Sequence, residues 1–306
     1  MSGEALLSSQ MSGLIPEAIS NEIINQVKQN SFCLANSRRE PMTTVKKTIP
    51  VLASLPGPTW VAEGKKINVV KPTIVPVTLT AKKIGFILTA SRETLNDTVL
   101  STFMQLRPSI VDAFSIAIDK AIIAGDTIDG TTTKVFPTTI LETAAKQKVE
   151  RTTGTIADDI ADSLTLVENN NYNATNILAI NSIKNELRKQ KTTTGEYLYN
   201  NTNELFGVPM NYTNKFDSTT GYAVVGNFRE YLLTGIYQSI TYDVLREATL
   251  DLGDGKTINL AQEDLCGIRV TMRVASNILR EDAFAMVTAK AQQLSLIHIC
   301  RCRRRG

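Results

Sequence analysis

Histidine is almost missing from this sequence: its single copy, His298, lies within the last ten residues. Acid–base chemistry near neutral pH and most imidazole metal sites draw on histidine, so neither has a member in the body of the chain. Cysteine is scarce too. Cys33 and Cys266 are far apart, Cys300 and Cys302 sit at the very end, and no pair has metal-ligand spacing. They read as free thiols of a protein made in a reducing cytoplasm, without a neighbouring group to activate one as a nucleophile. No apolar run reaches membrane-spanning length, and the start, Met1-Ser2-Gly3-Glu4, lacks a basic region followed by an apolar core. Neither membrane insertion nor secretion is expected, nor any cofactor or metal.

A surplus of charge is also missing. The formal charge is +3, but Ile297–Gly306 alone holds four arginines. This string resembles a translated sequencing adapter, and residues 291–306 are set aside as a non-native tail. Removing the four arginines takes the charge from +3 to −1. An electrostatic case for strong nucleic-acid binding then disappears. The other reading is a genuine basic tail that touches DNA.

What remains is an ordinary globular composition, 42% apolar and 21% charged over 306 residues. That length allows about two domains and a sizeable core. After a small, polar start, Pro16 suits a first helical turn, and Ile19, Ile23, Ile24 and Val27 share one face of a helix over 16–30. That helix packs on its own domain or lies as an arm on a neighbouring subunit. From Pro41 to Ser91 the period becomes two, with Val75, Val77 and Leu79 and then Ile84, Phe86 and Leu88 alternating with other residues. Pro56-Gly57-Pro58, Glu63-Gly64-Lys65-Lys66 and Lys71-Pro72 interrupt it, as in a long hairpin standing off the body. Trp60, the only tryptophan, falls in this hairpin. It either fills a core or anchors the hairpin on another chain, since tryptophan is enriched at interface hot spots. Lys65, Lys66 and Lys71 suit a solvated tip.

A long helix follows from Asp97 to Gly125, capped by Asn96 or Asp97, kinked or divided at Pro108, and stopped by Gly125 in the left-handed conformation. Residues 126–150 are Thr-rich and irregular. Ile156, Ile160, Leu164 and Val167 mark another amphipathic helix, capped near Thr155 with Asp158 and Asp159 in its first turn. Strands are expected at 176–180, 205–210, 222–226 and 268–274, a short polar helix at 183–190, and a tight turn at Asp254-Gly255.

Two strings come near a ligand motif. Gly125–Thr132 has the glycine spacing of a phosphate loop but lacks its lysine and follows a helix instead of a strand. Asp251–Gly255 lacks the closing carboxylate of a calcium loop. Both read as turns. Asp158, Asp159 and Asp162 are explained by their place at a helix start.

Several strings resemble the major capsid proteins of tailed bacteriophages. Thr80-Ala81-Lys82-Lys83-Ile84-Gly85 leads into Ser91-Arg92-Glu93-Thr94-Leu95-Asn96-Asp97, and Ala121–Asp126 closes the long helix. Leu205–Met210, Val225–Tyr231, Ile268–Val274 and Asp282–Val287 follow in the family's order. The resemblance covers about 14–290. It implies an α+β fold of the type named for phage Hong Kong ninety-seven. Its parts would be an N-terminal arm over 1–40, an extended β-hairpin loop and a peripheral domain with a long spine helix over 41–125. A mixed α/β axial domain over 126–240 and a return to the peripheral domain over 241–290 would follow.

The family is structural, not enzymatic. The resemblance implies hexamers and pentamers closing into an icosahedral shell around double-stranded DNA, which is touched weakly and without sequence specificity. Scaffolding protein, protease and portal would be partners, with assembly in the host cytoplasm and residence in the virion. Ile19, Ile23, Trp60, Glu63, Lys65 and Lys66 become candidate inter-subunit contacts. Lysine–asparagine crosslinks occur in some members, but no asparagine can be paired with Lys65 or Lys66, and that chemistry is not carried over. The other readings are an encapsulin-like compartment shell, an enzyme with an unrecognised carboxylate site, and a phage decoration or adhesion protein.

Overall fold

A computed structural model describes residues 17–289, apart from 55–56, 58, 67–68, 70, 72, 129–130, 153, 192–195, 199–202 and 254. For 17–22, 53–54, 90 and 92–107 it describes the backbone alone. The chain starts with helices α1 (Glu17–Asn30) and α2 (Phe32–Asn36), then strands β1 (Arg38–Arg39), β2 (Lys46–Ser54), β3 (Thr73–Thr80) and β4 (Lys82–Ser91). Helix α3 (Arg92–Ile123), α4 (Ile140–Ala144), β5 (Lys148–Glu150), α5 (Ile156–Asn169), β6 (Asn176–Ile180) and α6 (Asn181–Lys189) follow. Next come β7 (Glu204–Leu205), β8 (Val208–Thr213), β9 (Ala223–Gly226), α7 (Phe228–Tyr231) and β10 (Leu232–Leu245). The last are β11 (Thr249–Asp251), β12 (Thr257–Asn259), β13 (Leu265–Ile278) and β14 (Phe284–Thr288).

Two compact units result. The first combines the chain up to Ile140 with Phe228–Arg280. Its main sheet runs β1-β10-β13-β4, with β10, β13 and β4 antiparallel. Helix α3 covers this sheet: Ile110, Val111, Phe114, Ile118, Ala121 and Ile122, spaced as one helical face, are buried. The Phe86 and Phe114 rings lie 5.3 Å apart. On β4, Ile84, Phe86 and Leu88 are half-buried and Gly85, Ile87 and Thr89 exposed, the alternation read from the sequence. Strands β2 and β3 form a separate two-stranded ribbon.

Helix α3 begins five residues before the expected start, at Arg92. Nothing between Ser91 and Asp97 breaks a helix, so Asn96 and Asp97 fall inside the first turns instead of capping them. Pro108 does not divide the helix, which runs on through it. Gly125, with φ of +82°, ends the element in the left-handed region as expected.

The second unit comprises Leu141–Asn227 and the segment from Glu281. Its sheet has the order β5-β14-β9-β6-β8-β7. Strand β6 is buried along its whole length, as its continuous apolar run requires. Helix α5 packs on this sheet with Ile156, Ile160, Leu164 and Val167 buried. Thr155 and Asp158 close a reciprocal capping box at its start. Arg151 pairs with Glu186 and stacks 4.8 Å from the centroid of Tyr222.

The divisions at 140, 227 and 280 differ from the expected ones. Residues 228–245 belong to the first unit because β10 hydrogen-bonds along β13. Residues 126–140 are tied there by Thr138, whose hydroxyl donates to Asn277 at 2.7 Å. The stretch 284–288 is no return to the first unit: β14 lies between β5 and β9 in the second sheet. The strand expected at 205–210 is split by a turn at Phe206-Gly207, where both φ values are positive.

Candidate assembly surfaces

The β2–β3 ribbon is fixed at one end and bare at the other. At its base Leu79 is fully buried with Met42, Ala81, Leu233 and Ala275. Asn277 donates to the Thr78 carbonyl at 2.8 Å, and toward the outer end of the paired strands Arg280 donates to the carbonyl of Leu52. Lys47 bridges to Glu40 at 3.0 Å, holding its carboxyl below the usual carboxylate range, with Arg38 adding to the effect. Farther out, Ile74 and Val75 are exposed. At the far end Trp60 is 106% exposed and Val69 87%. Glu63, Lys65 and Lys66 are exposed beside them, around a turn at Gly64 with φ of +75°. Four of the residues expected to meet a neighbour are thus gathered at one tip. An apolar indole among exposed charges offers adhesion without chemistry.

The first helix behaves differently. Ile23, Ile24 and Val27 are buried within their own unit, where α1 packs on α3 and β10. Ile23 therefore has no area left for a second subunit and drops out of the candidate contacts. Ile19 lies on the same helix, but its side chain is outside the described residues. The arm is held by a residue that sequence reasoning passed over. Asp119, on the buried face of α3, accepts hydrogen bonds from the Ser31 hydroxyl at 2.6 Å and from the Phe32 and Cys33 amides at 3.0 Å. A carboxylate amid Ser115, Ile118 and Ile122 was the available signal, because such a group needs donors.

In the first unit a cleft of about 500 Å³ lies along α3 and β4. Its wall is mostly apolar, with Ile84, Ile118, Ala121, Phe136 and Val274, and also includes Lys82, Lys83 and Asp126. Among the described residues no three histidine, cysteine or carboxylate side chains are grouped to hold a metal, and no helix is long and apolar enough to cross a membrane. In the second unit, Phe206 stands exposed at the tip of the β7–β8 hairpin.

Residues 12–289 match the phage capsid family. The major capsid protein of Staphylococcus phage 80alpha is 30% identical over 290 residues, spanning 92% of this chain and 86% of that one. A solved chain from Microbacterium phage Oxtober96 has a TM-score of 0.71 at 23% identity, covering 85% of this chain and 91% of its own. One from Mycobacterium phage Adephagia has a TM-score of 0.69 at 21% identity, covering 94% and 98%. The fold is therefore the expected α+β capsid fold of the Hong Kong ninety-seven type. With both units inside the matched region, the chain belongs to the phage capsid family, the structural proteins of the virion shell.

Proposed function

We propose that this chain is the major head-shell subunit of a tailed bacteriophage, joined as hexamers and pentamers into an icosahedral shell around double-stranded DNA. The first unit serves as the peripheral domain, and the second as the axial domain facing the ring axis. Assembly takes place in the host cytoplasm with a scaffolding protein, a protease and a portal. The near-neutral charge of the body favours weak contact with DNA, independent of its sequence.

One observation carries this reading: the largest apolar side chain in the sequence, Trp60, is wholly bare at the end of a ribbon whose base is firmly packed. A lone subunit gains nothing from that placement. A neighbour that covers the tip does, and Ile19, Trp60, Glu63, Lys65 and Lys66 are the proposed contacts. Each contact can be weak because a closed ring repeats it many times.

Removing residues 57–72 tests this directly. Ser54 already pairs with Thr73, so with Leu55 and Pro56 replaced by Asn-Gly the shortened chain can close a two-residue hairpin. With residues 297–306 also removed, the subunit should fold but fail to form shells in negative-stain micrographs. Normal particles from the shortened chain would sink the reading.

A further inference from the structure

Two unfavourable features meet at Phe206. The β7–β8 hairpin turns through Phe206 and Gly207, with φ of +53° and +78°. A two-residue hairpin with both φ values positive is the primed type that asparagine followed by glycine suits best. Gly207 meets that demand. Phe206 does not, because a left-handed backbone crowds the Cβ of an L-residue and is a genuine outlier for a bulky one. The ring recovers little from its own chain, being 57% exposed. It also sits beside β7, a two-residue strand that, among the described residues, is the outermost of its sheet and has no strand on its far side.

We infer that Phe206 is an anchor between subunits, its ring buried against a second copy of this chain. The inference rests on the shell reading proposed above. Area decides the occupant. A phenylalanine buries about 150–250 Å², whereas a stable interface needs about 1,200 Å² or more. The tip cannot capture a free partner alone. It is sufficient where other contacts already hold the partner in place, as they do for neighbouring copies in a ring.

Phe206→Asn separates this role from a structural one, since asparagine is the better residue for the turn. The variant should unfold in urea at the same or a higher concentration than the parent. It should nevertheless need about tenfold more protein to reach half-assembly of shells, the effect of losing one well-buried apolar contact per subunit. A lower unfolding midpoint would place the ring's partners inside its own chain and overturn the inference. Unchanged assembly would overturn it too, while leaving the shell reading intact. A parent protein that forms no shells at all would fail the shell reading itself, and this inference with it. As a second measurement, p-benzoylphenylalanine at position 206, irradiated in shells, should give crosslinked dimers of this chain. Crosslinks to some other protein alone would rule out a second copy as the occupant.

Discussion

The Ser31 hydroxyl donates a 2.6 Å hydrogen bond to Oδ1 of Asp119, 88 positions farther along the chain. The same carboxylate takes the Phe32 and Cys33 amides, so one side chain caps α2 and fastens it to α3. Asn30 reaches Asp112 at 3.3 Å, seven residues before Asp119 and hence two turns away on the same side of the helix. The N-terminal helices are thereby held on the same half of α3 that packs on the main sheet.

Replacing Asp119 with alanine should weaken the first unit considerably. The change strands a hydroxyl and two amides in a buried site, and hydrogen bonds to a charged group are the strong kind. A loss of about 3 kcal/mol is expected in urea unfolding. Asp119→Asn, which keeps one accepting oxygen, should fall between that variant and the parent. Equal midpoints for all three proteins would show that the clamp contributes nothing.

Cys33 lies fully buried beside this clamp. Burial pushes its thiol well above the usual value of 9.0, and the Asp119 charge and hydrogen bond push it the same way. A group whose pKa rises on folding favours the native state while its unfolded counterpart stays protonated. That contribution is complete below about pH 9 and declines as pH rises above it, because only the unfolded chain then ionises. The parent should therefore lose stability faster than Cys33→Ala above pH 9, measured as urea midpoints in parallel series. Parallel curves would contradict this. The same burial should keep Cys33 inert to thiol reagents until the unit opens.

Much of this was legible in the sequence, and particular residues show why. Val75, Val77 and Leu79 announced a strand, yet only Leu79 is buried. Periodicity reports which face is apolar, not how far along the strand the cover extends. Ile156, Ile160, Leu164 and Val167 were read correctly because capping and spacing are local properties. The return of β14 to the second sheet was missed, since no local signal says which of two sheets an apolar strand joins. Ile23 was offered to a neighbour because an apolar helical face looks the same whether its partner is in the same chain or another. Phe206 was hidden inside an apparent strand, because phenylalanine at a positive φ breaks the usual turn chemistry.

Pro108 is a second place where local preference was overruled. Proline has no amide hydrogen, so the Met104 carbonyl lacks its usual helical partner. A proline in a helix interior is about 3 kcal/mol less favourable than alanine. Its ring is exposed, and replacing it gives up little packing. Pro108→Ala should therefore stabilise the first unit, by about 1–3 kcal/mol, seen as a higher urea midpoint with an unchanged slope. A lower midpoint would mean that the proline ring contributes packing of its own.

Trp60 supplies its own reporter, because no other tryptophan contributes to the fluorescence. In the free subunit the indole should emit like one in water and be readily quenched by acrylamide, as its complete exposure requires. On shell formation the emission should move to shorter wavelength and quenching should fall, as a neighbouring subunit replaces water around the ring. Trp60→Ala should shift the unfolding free energy by no more than about 0.5 kcal/mol, the range of surface substitutions that lack partners, while markedly raising the concentration needed for assembly. Emission and quenching that stay the same in free subunits and finished shells would mean that the tip remains in water. The ribbon would then need a different purpose.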